Sequence, residues 1–157
     1  MNEWQPCARL LELADPDLFL LAGRYTLLEQ APLFSLFPAC ERRGVGIVIG
    51  GPYNSGVLAR EGGAYDYAAA PVAVLSRVRA LDKVCREFGE PLAAVALAFV
   101  AAPPVVVSVI PGAQTADEVR ANTELSSHTI PAGLWDRLKA EGLIDPAAPT
   151  TRVASPR

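Results

Sequence analysis

A glycine-rich segment, Gly50–Ala59 with the sequence GGPYNSGVLA, carries residues that are suited to binding a phosphate group. It directly follows a predicted strand, and its glycines allow the backbone to approach a ligand closely. The side chains of Asn54 and Ser55 can donate hydrogen bonds to phosphate oxygens. The segment therefore predicts a phosphate-binding loop, although a surface loop rich in turn residues has the same composition.

A second candidate lies in Val105–Asn122, which reads as a strand, a tight turn and the start of a helix. The turn is Pro111-Gly112, and Thr115 followed by Glu118 forms a capping box. Backbone N–H groups in the first helical turn lack internal partners and attract anions. Such junctions are common in α/β proteins, but two of them at the carboxyl ends of predicted strands favour a ligand site.

The other side chains with catalytic or metal-binding chemistry are isolated in the sequence. The single histidine, His128, lies in a polar turn, and we expect it at the surface. Glu61 and Asp66 lie in a long loop, where acidic side chains are usually solvated. The odd number and the spacing of the three cysteines fit neither a disulfide framework nor a metal site. They are predicted to be buried thiols: Cys7, Cys40 and Cys85.

Composition excludes several classes of partner for this chain of 157 residues. Its net charge is -3 and it has no basic tract, which argues against binding to nucleic acid. The longest apolar run, Leu92–Val107, is interrupted by Pro103-Pro104 and is too short to span a bilayer. No charged leader precedes the fold, so we expect a cytoplasmic protein without membrane contacts.

Strands and helices alternate along the chain, which predicts a parallel sheet. The predicted strands are Leu18–Leu21, Val45–Ile49 and Val105–Ile110, and the last has a β-branched composition typical of burial on both faces. The predicted helices are Pro6–Ala14, Ala39–Arg43, Val72–Phe88, Pro91–Ala102, Ala116–Leu125 and Ile130–Glu141. Between the second strand and the third helix, Gly50–Ala70 is a loop long enough to suggest a function.

Three strands leave open edges and uncovered apolar faces, whereas a closed barrel needs about 250 residues. The chain is therefore predicted to be a part of a larger α/β fold. From Asp145 onward the sequence is rich in Pro and Ala without a packing signal, and residues 150–157 are predicted to form a disordered tail.

Several separate motifs in this order resemble the C-terminal part of an aldo-keto reductase. The resemblance is greatest to the bacterial branch of D-threo-aldose 1-dehydrogenases and L-fucose dehydrogenases, which also includes pyridoxal 4-dehydrogenases. It extends from Asn2 to about Pro149. The motifs are Gly23–Gln30 (GRYTLLEQ), Gly50–Ala59, Pro91–Phe99, Ser108–Gly112 (SVIPG), Glu118–Asn122 and Ile130–Asp145.

The resemblance implies a (β/α)8 barrel that binds NAD or NADP and transfers hydride between nicotinamide and a sugar or aldehyde carbon. By the resemblance, residues 1–149 are an incomplete α/β (β/α)8 TIM barrel, the C-terminal portion of such a barrel. Its Asp, Tyr, Lys and His tetrad lies at the ends of the second, third and fourth strands. By this resemblance the chain begins where the fifth strand ends, so no residue here matches the tetrad. We therefore expect a fragment that carries the cofactor-phosphate side and is inactive alone.

The resemblance also implies which residues contact the cofactor. Asn2 corresponds to a nicotinamide-binding asparagine, the loop after the second strand to the pyrophosphate site, and the turn after the third strand to the adenosine site. Ala22 and Gly50 depart from the common pattern, and Glu118 replaces an arginine of NADP-preferring members, which favours NAD over NADP. The predicted contacts are Asn2, Gly51, Tyr53, Asn54, Ser55, Gly56, Gly112, Ala113, Gln114, Glu118 and Asn122.

Two alternatives belong to other functional classes. The exposed strand edges and apolar barrel-facing residues suggest a non-catalytic nucleotide-binding module that associates with itself. A truncated gene product without independent function has the same sequence features. In the leading interpretation, the intact protein's partners are a nicotinamide dinucleotide and a small sugar or aldehyde substrate.

Overall fold

A computed structural model of the chain describes residues 1–151. Its sheet has three parallel strands in the order β1 (Leu18–Ala22), β2 (Gly46–Gly50) and β3 (Val106–Ile110). The strand assignments and their parallel pairing confirm the sequence prediction to within one residue at each boundary. Because the strands run in one direction, the carboxyl ends of all three lie at the same end of the sheet.

Helices connect and cover the strands at nearly the predicted positions. The second helix begins three residues before its predicted start, because Pro38 lies in its first turn, where no intrahelical N–H partner is needed. It ends at Gly44, which has a φ of +67°. The helices are α1 (Gln5–Leu13), a 3₁₀ turn (Ala31–Phe34), α2 (Leu36–Arg43), α3 (Val72–Glu87), α4 (Leu92–Ala101), α5 (Ala116–Ser126) and α6 (Ala132–Ala140).

One face of the sheet packs against the helices and forms the core. Alternate residues of β1 and β2 are buried there, and α4 is buried nearly all round, as its apolar composition predicts. Phe99 of α4 is fully buried and stacks on Tyr25 at a centroid distance of 5.2 Å. Within residues 1–151, no helix has the length and apolar character needed to cross a membrane.

The other face of the sheet is exposed, which corrects the prediction that the third strand is buried on both faces. Leu20 of β1 is 44% exposed, and Val107 and Ile110 of β3 are 57% and 50% exposed. Three strands cannot curl far enough to cover their own inner face, and the helices lie on the outer one. The β-branched run identified a strand correctly, but β-branched composition does not determine whether both faces of that strand are covered.

The segment after α6 also differs from expectation. Ala148 is 1% exposed, and the Asp145 backbone N–H donates to Gln30 Oε1 at 2.7 Å. This packing depends on a contact between residues far apart in sequence, so composition alone did not reveal it. Residues 152–157, the larger part of the predicted tail, lie outside the described residues.

Candidate functional site

A cavity of about 770 Å³ lies at the carboxyl ends of the three strands. All eleven residues predicted to contact a cofactor line it, so the structure brings together positions that are up to 120 residues apart, from Asn2 to Asn122. Their contact with a cofactor stays a prediction. The sequence analysis missed four further lining residues with polar or aromatic side chains, namely Arg24, Arg60, Asp66 and Tyr67.

The loop after β2 adopts an uncommon backbone conformation. Asn54, Ser55 and Gly56 have consecutive positive φ values of 47°, 59° and 105°. Asn54 is 5% exposed, and its Nδ2 donates to the Gly23 carbonyl at 3.4 Å, which ties this turn to the residues that follow β1. Ser55 Oγ accepts a hydrogen bond from the Tyr67 N–H at 3.1 Å and keeps its own proton for a ligand.

The long loop that follows folds back onto this turn. The Val57 N–H donates to the Ala64 carbonyl at 3.1 Å, and Gly56 pairs with Ala64 in an isolated bridge. Gly63 is buried at the crossing, where a Cβ would lie 2.3 Å from the Gly56 carbonyl oxygen. The loop is thus an ordered wall of the cavity, held by backbone contacts that allow no side chain at position 63.

The β3–α5 junction forms the opposite wall. Thr115 Oγ1 caps α5 by accepting from the Glu118 N–H at 3.2 Å, as the capping box predicts. The Glu118 carboxylate reaches one residue further back than in a standard capping box and accepts from the Gln114 N–H at 2.6 Å. The half-buried carboxylate therefore caps the helix and also lines the cavity.

A hydrogen bond joins the two walls. Tyr53 Oη donates to Asn122 Oδ1 at 2.8 Å, across 69 positions in the sequence. Burial raises the pKa of the Tyr53 phenol to about 12, so this hydroxyl stays protonated near neutral pH. Two residues predicted as separate cofactor contacts thus also hold the loop against α5.

Two arginines differ in how they are paired. At the end of β1, Arg24 Nε donates to the Asn2 carbonyl at 2.6 Å, and its Nη2 lies 3.4 Å from the Asp66 carboxylate. Arg60 is exposed, and its guanidinium packs beside Gly56, with Nε 3.4 Å from where a Cβ would be. Within residues 1–151, Arg60 has no carboxylate within ion-pair distance. It is therefore a positive charge available to an anion at the rim of the cavity.

Histidine and lysine side chains lie outside the described lining of the cavity. His128 is exposed as predicted, and its Nδ1 lies 2.8 Å from the Glu90 carboxylate. The three cysteines are free and buried, which confirms their prediction as core thiols. No group of three or more potential metal ligands is found in residues 1–151.

Comparisons with known proteins agree with this architecture. The model of the "Aldo/keto reductase family" matches residues 3–141. The chain is 40% identical to pyridoxal 4-dehydrogenase of Microbacterium luteolum over 147 residues, which cover 92% of this chain and 43% of the relative. It is 37% identical to D-threo-aldose 1-dehydrogenase of a Pseudomonas species over 140 residues, covering 87% of this chain and 43% of the relative.

A solved structure gives the same relation in three dimensions. The holo form of aldo-keto reductase AKR11C1 from Bacillus halodurans superposes with a TM-score of 0.66 at 25% identity, covering 91% of this chain and 48% of that one. The chain thus spans less than half the length of the relatives it matches, and its fold is a partial (β/α)8 barrel with three parallel strands. With most of its length matched by the family model, the chain belongs to the aldo/keto reductase family.

Proposed function

We propose that this chain is the cofactor-binding part of an NAD(P)-dependent aldo-keto reductase, and that it lacks the proton-transfer residues needed for turnover. The observation that carries this proposal is the convergence of eleven residues, chosen from sequence, on one cavity at the carboxyl ends of the strands. Parallel α/β proteins bind ligands at the carboxyl ends of their strands. A cavity of about 770 Å³ lies within the range of cofactor sites.

The charges around the cavity suit the diphosphate of a dinucleotide. Arg60 supplies a positive charge beside the Gly56 turn, and the Ser55 hydroxyl retains its proton for a phosphate oxygen. On the opposite wall, the N-terminus of α5 carries the positive end of the helix dipole, which the Glu118 carboxylate partly offsets where it accepts from the Gln114 N–H. We therefore assign the diphosphate to the space between the Asn54–Gly56 turn and the Gly112–Gln114 turn.

The names of two relatives suggest the chemistry of the whole protein. One is called pyridoxal 4-dehydrogenase and the other D-threo-aldose 1-dehydrogenase. We infer that the intact protein oxidises a sugar lactol or the cyclic hemiacetal of an aldehyde to a lactone, with hydride from the carbon passing to the nicotinamide and the hydroxyl proton passing to a base. Its three reduced, buried thiols suit a cytoplasmic location.

Glu118 favours NAD over NADP. Its carboxylate lines the cavity beside the start of α5, where the adenosine end of the cofactor is assigned. A 2′-phosphate dianion at this position is repelled by the carboxylate, whereas a 2′-hydroxyl can donate a hydrogen bond to it. The hydrogen bond from the Gln114 N–H occupies only one oxygen of the group, so capping and cofactor selection are compatible.

Equilibrium titration of the purified chain with NADH and NADPH tests both parts of the proposal. We expect saturable binding of NADH that is tighter than binding of NADPH. Glu118→Gln keeps an acceptor for the Gln114 N–H but removes the charge, so it is expected to strengthen NADPH binding by about three- to tenfold while changing NADH binding by less than about twofold. Glu124→Gln, on the same helix but outside the cavity lining, is the matched control. Absence of binding contradicts the proposed function, and tighter binding of NADPH contradicts the NAD preference.

Self-association is a second candidate function, favoured by the exposed inner face of the sheet. This face presents Leu18, Leu20, Val107 and Ile110 to solvent, a group of large apolar side chains that soluble monomers seldom expose together. A second copy with its strands in the same direction would bring the β1 edge of one chain against the β3 edge of the other. If each β1 edge pairs with the β3 edge of the other chain, the two sheets close on one another. Both open edges and the apolar inner face of each sheet are then covered.

Light scattering after size exclusion measures this association. For a pair we expect twice the chain mass of 16.6 kDa, with dissociation on dilution. Val107→Asp places a charge on the exposed sheet face and is expected to shift the population to monomer, weakening association by at least about tenfold. The same substitution at Val72, which is 77% exposed on α3, is the control. A monomer at every concentration contradicts the pairing.

A further inference from the structure

The tip of the long loop is a tight hairpin, Tyr65–Ala68. Its ends exchange two backbone hydrogen bonds, from the Tyr65 N–H to the Ala68 carbonyl at 2.9 Å and from the Ala68 N–H to the Tyr65 carbonyl at 3.0 Å. The two central residues, Asp66 and Tyr67, have φ values of 51° and 65°. Two positive φ values in a two-residue connection are the signature of a type I′ turn.

Tyr67 is poorly suited to this turn. The second central position of a type I′ turn favours glycine, and Asp-Gly is a common pair, so Asp66 fits while an aromatic residue after it is strained. The Tyr67 side chain gains little packing in exchange, because the residue is 85% exposed. Strained residues cluster at ligand sites, and neither the local sequence rules nor the core accounts for a tyrosine at this position.

The hairpin tip is tied to one end of the cavity. Asp66 pairs with Arg24 at 3.4 Å, and Arg24 in turn donates to the Asn2 carbonyl at the end of β1. The Tyr67 N–H donates to Ser55 Oγ in the turn after β2. These contacts hold Tyr67 at the rim of the cavity, next to the residues that follow β1 and β2.

We propose that Tyr67 is a stacking platform for the nicotinamide ring of the bound dinucleotide, an inference that rests on the proposed function. With the diphosphate between the two turns and the adenosine half beside Glu118, the other planar ring of the cofactor lies toward Asn2 and the hairpin tip. An exposed aromatic face at that end can cover a planar ring and exclude water from it. Tyr67 is thus a cofactor-positioning residue. Its stacking on the nicotinamide ring explains why a tyrosine occupies a position with a strained, positive φ.

Binding of two ligands to Tyr67→Gly and Tyr67→Phe tests the inference. NADH carries the nicotinamide ring, and ADP-ribose carries the same adenosine, diphosphate and second ribose without it. We expect Tyr67→Gly to weaken NADH binding by about five- to tenfold and to change ADP-ribose binding by less than about twofold, while Tyr67→Phe keeps both affinities. Hydrogen exchange at the Tyr65 and Ala68 amides is expected to slow by about threefold in Tyr67→Gly, because glycine relieves the turn.

The possible results separate this inference from the proposed function. If the unsubstituted chain binds neither NADH nor ADP-ribose, both fail together. If it binds both ligands and Tyr67→Gly weakens neither, or weakens both equally, the stacking role is wrong while the proposed cofactor site stands. Faster hydrogen exchange at the Tyr65 and Ala68 amides in Tyr67→Gly would mean that glycine loosens the hairpin. That result would contradict the claim that Tyr67 strains the turn, and with it the inference.

Discussion

Purified chain mixed with NAD and either an aldose or pyridoxal is expected to form NADH no faster than boiled chain does. Transfer of hydride from such substrates requires removal of a hydroxyl proton, and the loss of a general base alone costs about 10²–10⁴-fold in rate. We propose that this chain lacks the whole proton-transfer group. A full-length D-threo-aldose 1-dehydrogenase in the same assay is the positive control.

The structural reason for this expectation lies in the protonation properties of the cavity. No lysine or histidine is among the described residues that line it, and His128 is engaged with Glu90. The two partly or fully buried tyrosines of this region are held protonated. Burial raises the pKa of Tyr53 to about 12, and burial together with the hydrogen bond to Glu29 raises that of Tyr65 to about 12. Arg24 lowers the pKa of Tyr65, but burial and the hydrogen bond to Glu29 outweigh this effect, so neither phenol is an efficient base near neutral pH.

Formation of NADH that requires substrate, scales with chain concentration and is absent after boiling contradicts this prediction. A trace of contaminating dehydrogenase is distinguished by Gly56→Trp, which places a bulky side chain beside Arg60 at a φ of +105°, where a residue other than glycine is strained. Activity that belongs to the chain is abolished by this substitution, whereas contaminating activity is unchanged. Binding of NADH without turnover is the outcome that the proposed function requires.

Much of this fold could be predicted from local sequence, because the relevant signals are local. The β-branched run in β3, the periodic apolar positions of α3 and the Thr115–Glu118 box each depend on residues less than one element apart. The alternation of strands and helices implied a parallel sheet. In a parallel sheet, the two glycine-containing turns lie at the same end, at the carboxyl ends of their strands. Motifs of the family then indicated which side chains face that edge.

Features that depend on contacts between distant residues could not be predicted in this way. The Tyr53–Asn122 hydrogen bond and the Arg24–Asp66 ion pair join segments 69 and 42 positions apart, and no local rule pairs them. The roles of Arg60 and Tyr67 depend on how the long loop folds back, which its Gly-rich composition leaves open. Burial of β3 on both faces was predicted from its β-branched composition. Composition does not show whether another part of the protein packs against the inner face of the strand.

Gly63→Ala is expected to detach this loop and to abolish most cofactor binding. A Cβ at position 63 would lie 2.3 Å from the Gly56 carbonyl oxygen and 2.6 Å from the Val57 nitrogen. Both neighbours are backbone atoms, so no side chain can rotate away and the strands of the loop must separate. Relief of the overlap costs about 2–4 kcal/mol in local stability, because the Val57–Ala64 hydrogen bond is lost with it.

Loss of this crossing has consequences for the whole loop. Arg60 lies between Gly56 and Gly63 in sequence and is exposed, so trypsin cleavage at Arg60 reports opening of the loop. We expect cleavage to be faster by at least about tenfold in Gly63→Ala, and NADH binding to be weaker by at least about tenfold. Gly112→Ala is the control for proteolysis, because a Cβ there meets nothing within 4 Å. Unchanged cleavage and NADH affinity in Gly63→Ala would mean that the loop is not a wall of the cofactor site, and the diphosphate would then have to be held by the β3–α5 junction alone.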